Sequence, residues 1–569
     1  MAATNTNALA RSRPALTILV AAAASASIAI LAGLVSARMY APATILVLLW
    51  GLVAFVATIG SIDDTIRNRI AANTLLIWFA AAPVAWYFIR FPFAKSIVTF
   101  ERLVFGLVAF IAVGSMIGWP PRYYHGRRRR ARNRTNGLDA ESDSASLAGS
   151  RLDKNDSSSR GSGAAATRDR GATESEPSPI TKFEAVWLLL TLMACFSAAT
   201  VSSSTGYALR TAVDAFALPL IAFYGARTFL RSPRYWRWLV VAAMLLGLLL
   251  LSTGAFELLT GINLLPYEGS ELVREGELRV NGPFITDSSF AVVSLMLALF
   301  LRSAPKMFKL RFDLSARVLY GIAIVAAIVS CLLPLFRAVA MSLVICWAAE
   351  GILTAWPQSG AADNALSQRA IKPLRRQRFR SFVTVGIASI LLAGGVMLLA
   401  PANIRERLTN PRNAYSRLLS WRVAANIIYH HPVFGVGLSN YVDYFDQEYS
   451  GGRSELELEL DTHIVEHPHS NVVWIATELG LVGLALYLGA NILLLIPACR
   501  AVRRGPNARI RAAGACVIVL MAAYWIPGLE LTSGMYSELN LYFFFLLGLI
   551  FPLLSLEGPP EGQNPELQS

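Results

Sequence analysis

Apolar residues along this chain gather in runs of about 17 to 25, the length that carries an α-helix across a bilayer. The runs lie near 15 to 36, 43 to 60, 72 to 89, 101 to 119, 183 to 201, 214 to 229, 236 to 256, 284 to 302, 317 to 335, 338 to 355, 381 to 400, 471 to 498, 512 to 528 and 536 to 556. They predict an all-α fold, a polytopic membrane helix bundle of about fourteen transmembrane helices. A different period appears between 402 and 470. There, Leu418, Trp421, Ala425 and Ile428 recur at helical spacing and predict an amphipathic helix at the membrane surface, while acid and leucine alternate over 454–461 as in a half-buried strand or a short helix.

Composition fits the bundle. Of 569 residues, 55% are hydrophobic and 15% charged, with a mean hydropathy of +0.49, more apolar surface than one soluble core hides. The net charge of +14 points to topology rather than to nucleic acid, because the basic residues cluster in short segments between the runs: Arg227 to Arg237, Arg302 to Arg311, Lys372 to Arg380 and Arg500 to Arg509. Fourteen spans starting inside put each cluster in the cytoplasm, with both termini, as the positive-inside rule requires.

The organisation expected is then 1–121 as N-terminal spans, 122–182 as a disordered basic cytoplasmic linker, 183–400 as spans with isolated arginines, 401–470 as a large outer loop containing short helices, 471–556 as C-terminal spans, and 557–569 as a cytoplasmic tail. The linker opens with arginines and continues without apolar periodicity; membrane lipid is a partner for it and for the spans. Cys195, Cys331, Cys346, Cys499 and Cys516 sit in or beside apolar runs without metal or disulfide spacing.

Candidate chemistry concentrates in the outer loop. Five of the six histidines (His430, His431, His463, His467 and His469) lie there. His463, His467 and His469 with Glu466 allow a metal reading, but Pro468 breaks the helix that would align them. They also allow a reading as plain loop residues. The third reading makes His469 a general base, since imidazole titrates near neutral pH. Arg337 stands between two apolar runs with hardly a polar neighbour, where a charge at membrane depth costs on the order of 3 kcal/mol. Arg279 and Arg417 approach from the same face. Guanidinium forks match phosphate oxygens, so a lipid-linked phosphate is the partner that fits them.

These residues resemble the O-antigen ligase family, with the related O-antigen polymerases and bacterial O-oligosaccharyltransferases. His469-Ser470, nine residues and Gly480-Leu-Val-Gly483 fit that family's pattern, and Arg417, Trp421 and Pro432-Val-Phe-Gly-Val-Gly437 resemble the segment before its histidine. Arg279-Val-Asn-Gly-Pro-Phe284 and Phe336-Arg337-Ala-Val-Ala340 resemble two further arginine motifs. Two departures stand out: Thr286-Asp-Ser288 replaces the usual Asn-Pro-Asn-like turn, and Phe336 stands where serine is common.

The resemblance implies a glycosyltransferase of the bacterial inner membrane, its active site facing the periplasm and the 401–470 loop periplasmic. It implies transfer of a glycan from undecaprenyl diphosphate to lipid A core, to a growing glycan or to a protein hydroxyl, without metal or other cofactor. His469 would take the acceptor proton, and Arg279, Arg337 and Arg417 would hold the donor diphosphate. Ser470, Trp421 and Glu478 would support them, Glu478 by orienting polar groups near the helix entrance or by complementing a helix N-terminal dipole. A flippase for polysaccharide or carrier lipid, and a scaffold that binds cell-wall material, are the rivals from other classes. A flippase would line several spans with charge to mid-depth, whereas the polar groups here gather on one face.

Overall fold

The computed structural model describes residues 64–88, 100–116, 180–262, 273–274, 277–278, 280–284, 286–355, 412–449 and 468–554. Contacts divide the chain into two units, Met1–Asn68 with Phe110–Arg170, and Arg69–Ala109 with Gly171–Ser569. Of the first, only the ends of two helices are described; all other described elements belong to the second.

The described helices are α1 (Asp64–Phe88), α2 (Phe100–Met116), α3 (Lys182–Thr200), α4 (Thr205–Phe229), α5 (Pro233–Thr260), α6 (Asp287–Phe308), α7 (Leu314–Leu332), α8 (Arg337–Ala355), α9 (Arg412–His430), α10 (Tyr441–Tyr449), α11 (Asn471–Glu478), α12 (Gly480–Arg504), α13 (Ala508–Gly528) and α14 (Ser537–Leu554). A two-residue hairpin, Val273–Arg274 against Glu277–Leu278, is the sole sheet among the described residues. Nine of these helices, α3 to α8 and α12 to α14, are long and apolar enough to cross a membrane. The expected total of about fourteen includes stretches outside the described residues.

Local chemistry explains where the helices begin. Thr181 and Glu184 form a reciprocal cap on α3, and Asp313 and Asn507 accept the N–H groups of Ala316 and Ile510 at the starts of α7 and α13. The departure at 286–288 has the same use, because Thr286 Oγ1 accepts the Ser289 N–H at 3.1 Å and starts α6. α4 begins nine residues before its apolar run. A π-helical turn at Val213–Ala217 turns Asp214 onto Arg102 of α2, at 2.6 and 3.1 Å, and toward Arg210 at 3.6 Å. The charges that interrupt the hydropathy offset one another, so the helix continues through them.

α6 and α14 are buried nearly all round, as uniformly apolar helices must be. Phe543 of α14 stacks on Tyr524 of α13 at 4.1 Å, and Phe79 of α1 stacks on Phe545 of α14 at 5.1 Å. Short turns join α3 to α4, α4 to α5, α6 to α7, α7 to α8 and α12 to α13, so these helices alternate in direction.

One end of the bundle gathers basic residues. Arg227 donates to Glu184 from Nε and Nη2, each at 2.9 Å, with both side chains buried. Arg302 lies 2.9 Å from Glu350 and over the Trp347 ring, and Arg509 Nε donates to the Met307 carbonyl across α13 and α6. The other end carries the starts of α6, α8, α12 and α14 and the whole α9 to α11 region.

Candidate functional site

The run expected as one span over 471 to 498 is two helices, α11 and α12, broken at Gly480, whose φ is +67°. A broken helix leaves carbonyls at one end and N–H groups at the other without partners. The chain at 432–437 supplies both. Val436 and Gly437 donate to the carbonyls of Thr477 and Glu478, each at 3.0 Å, while Leu481 and Val482 donate to the carbonyls of Pro432 and Val433 at 2.8 and 3.3 Å. The approach requires glycine on each side: a Cβ on Gly435 (φ +69°) would lie 2.4 Å from the Thr477 oxygen. Two motifs more than forty residues apart in sequence are therefore halves of one joint.

Glu478 sits inside that joint, 3% exposed. Its Oε2 accepts the Ser439 N–H at 2.8 Å and Trp474 Nε1–H at 2.7 Å, and the carboxylate also receives the Tyr441 N–H. The dipole it complements is thus that of α10, not that of its own helix. Glu478 lies outside the nine spans, and burial pushes its carboxyl up to about 7 against the opposing pull of those hydrogen bonds. Asn440 fastens the same segment to the α3–α4 turn, accepting from Ser203 N at 2.9 Å and donating to the Val436 carbonyl at 2.8 Å.

His469 enters α11 half-buried and with φ +47°, a left-handed conformation that costs a non-glycine residue on the order of 1 kcal/mol. Its neighbours hold it there. Trp421 Nε1 of α9 donates to the Pro468 carbonyl at 2.9 Å. Ser470 is the extended N-cap residue, its carbonyl accepting the Trp474 N–H at 2.8 Å while its side chain makes no cap bond. Buried Asn471 accepts the Gly534 N–H at 2.7 Å and donates to Ser533 Oγ at 3.1 Å, tying the turn to the 3-10 segment Ser533–Met535 before α14. The histidine is a strained residue clamped between three elements.

One turn before Trp421 on α9, Arg417 Nη1 donates to Glu530 Oε2 at 3.2 Å, with both side chains partly exposed. Glu530 lies between α13 and the 3-10 segment, and nothing in its sequence context marked it. The pair is worth about 0 to 1 kcal/mol, little enough for an anionic ligand to compete.

Arg337 is the exposed first residue of α8, at a bundle end and between the two apolar runs, as the pattern places it, and it is not without a partner. The turn through Leu335, with φ +56°, ends the apolar run and brings the arginine to the same end as the α11–α12 joint.

Arg279, His463, Glu466 and His467 lie outside the described residues. The turn after Arg279 is nevertheless anchored: Oε2 of the fully buried Glu257 in α5 accepts the N–H groups of Asn281 and Gly282 at 3.0 and 2.8 Å. Glu257 is a second residue that sequence reasoning missed; the one signal was an acid in the last turn of an apolar run.

His469, Ser470, Trp421, Arg417 and Glu478 are thus brought into one neighbourhood, with Glu478 bonded to the scaffold. Among the described residues, no three His, Cys, Asp or Glu side chains gather as a metal site.

Residues 281–488 match the profile of the family described as O-antigen ligase, which bears out the resemblance read from the motifs. The match spans the joint, His469, Arg337 and Arg417, and begins two residues after Arg279. Among curated proteins, the chain is similar to two provisionally named polysaccharide ligases. It is 32% identical over 120 residues to one of Rickettsia typhi, covering 20% of this chain and 29% of that protein. It is 32% identical over 115 residues to one of Rickettsia prowazekii, covering 19% and 27%. The matched stretch thus spans less than a third of either relative.

Proposed function

We propose that this multi-pass membrane protein is a glycosyltransferase of surface polysaccharide assembly that moves a glycan from an undecaprenyl-diphosphate carrier to an acceptor hydroxyl. The observation that carries the reading is His469, clamped in a left-handed turn at the non-basic end of the bundle within the stretch that matches the O-antigen ligases. The basic end is read as cytoplasmic, so His469 faces the periplasm of an inner membrane.

In the proposed reaction, the imidazole takes the proton of the acceptor hydroxyl as its oxygen attacks the anomeric carbon. The bond from that carbon to the diphosphate oxygen breaks, and the carrier diphosphate leaves with the bonding pair. Arg417, exchanging Glu530 for the donor, together with Arg337 and Arg279, holds the diphosphate and offsets its developing charge. No metal or other cofactor has a part in this scheme. Trp421 and Ser470 fix the backbone on either side of the base, and Glu478 fixes the joint beneath it. The acceptor is lipid A core, another carrier-linked glycan or a protein hydroxyl, which makes the enzyme a ligase, a polymerase or an oligosaccharyltransferase.

A strain deleted for this chain tests the reading. It is expected to accumulate carrier-linked glycan on the periplasmic leaflet while its surface polysaccharide is lost or shortened. Accumulation on the cytoplasmic leaflet instead would identify a flippase.

A further inference from the structure

α9 is apolar on two sides. Val423, Ala424 and Ile427 are buried against Val436, Tyr441 and Phe445 and make the small core of the loop. At 100° per residue, Leu418, Trp421, Ala425 and Tyr429 fall on another stripe. This stripe is exposed, Leu418 by 59% and Tyr429 by 80% of its surface, with Arg422, Asn426 and His430 along its polar edge. After the helix ends, Val433 and Phe434 continue the uncovered apolar surface, Phe434 by 66%.

The backbone joint says what adjoins this surface. Leu481 and Val482 donate to the carbonyls of Pro432 and Val433, so Val433 and Phe434 stand beside the first turn of a membrane-crossing helix. Leu481 there is itself half exposed, as a lipid-facing leucine is. The exposed stripe is thus continuous with the lipid-facing side of α12. A water-exposed patch of this kind needs a covering, and its composition, aromatic and aliphatic with an arginine at the edge, matches a helix lying in a bilayer interface.

We propose that the outward stripe of α9, with Val433 and Phe434, is seated among the lipid acyl chains beside α12. This seat sets the height of His469, because Trp421 belongs to the stripe and its indole holds the carbonyl next to the histidine. Only the choice of leaflet rests on the proposed function; the seat itself does not.

The test replaces Phe434, Tyr429 or Asn426, one at a time, with the photo-cross-linker benzoylphenylalanine in the full chain. Each variant is reconstituted in nanodiscs of radiolabelled phosphatidylethanolamine and phosphatidylglycerol. Lipid labelling at positions 434 and 429 several-fold above that at 426 is expected. Equal labelling at all three positions overturns the seat. So does cross-linking of 434 and 429 to residues 356–411 or 450–467, or to a second copy, since protein then covers the stripe. Aromatic replacement at exposed aromatic sites spares the core, and a Phe434→Trp control eluting as the parent chain shows that the position tolerates change. The outcome is read whether or not glycan transfer is detected.

Discussion

A Cβ placed on Gly480 would lie 2.3 Å from the carbonyl oxygen of Val433, well inside any real contact. The break between α11 and α12 is therefore possible only while residue 480 has no side chain. Gly480→Ala combines this clash with a left-handed φ and is expected to cost about 3 kcal/mol or more. Thermal unfolding in detergent checks it. Gly489→Ala, in α12 with open space around the new methyl, serves as the control and is expected to be neutral or stabilising by about 0.5 to 1 kcal/mol.

Glu478 gives the fold a pH dependence. Its folded carboxyl titrates at about 7 against an ordinary 4.5, so folding favours the protonated form. The stability it contributes is complete below about pH 4.5 and is lost as pH rises through about 7, a change on the order of 3 kcal/mol. Glu478→Gln keeps an acceptor oxygen for Ser439 and Trp474 but does not titrate. The unfolding midpoint of the parent is expected to fall between pH 5 and pH 8 relative to that of the variant, and parallel profiles would contradict the assignment.

Removal of Glu530 separates two roles for Arg417. If the arginine serves the donor, Glu530→Gln leaves stability within about 1 kcal/mol and tightens binding of undecaprenyl diphosphate, while Arg417→Ala lowers transfer by about 10² or more. If the pair is only a strut, the two variants behave alike. Equilibrium binding of the carrier diphosphate to nanodisc-embedded protein distinguishes them.

Glu257→Ala leaves the N–H groups of Asn281 and Gly282 buried without an acceptor, at about 1 to 3 kcal/mol each. Glu257→Gln retains one carbonyl oxygen and is expected to lose less. Limited proteolysis between 262 and 280 is expected to accelerate in the alanine variant and to stay near the parent rate in the glutamine one.

Much of this was legible in the sequence, and what was not has physical reasons. Among the described residues, the positions of the nine membrane-crossing helices followed from apolar run length, since in lipid the backbone satisfies its own hydrogen bonds within a helix. α4 was read short because its interrupting charges, Asp214 and Arg210, find partners only in three dimensions. The 471 to 498 run was read as one helix because hydropathy does not register a backbone φ, and only the close approach of Val433 makes Gly480 a break. His469, Trp421 and Arg417 were singled out as candidates through their motifs. Glu530 and Glu257 were not, because each matters through a partner more than twenty residues away. Arg337 was placed in a turn because the apolar runs on either side stop at 335 and resume at 338.

In the proposed reaction His469 removes the acceptor proton. His469→Ala protein, shown by gel filtration and thermal unfolding to be folded, is compared with the parent in a strain deleted for the chain. Normal insertion, loss of surface polysaccharide and retained binding of undecaprenyl diphosphate are expected. Polysaccharide of unchanged length and amount in the His469→Ala strain would contradict this role.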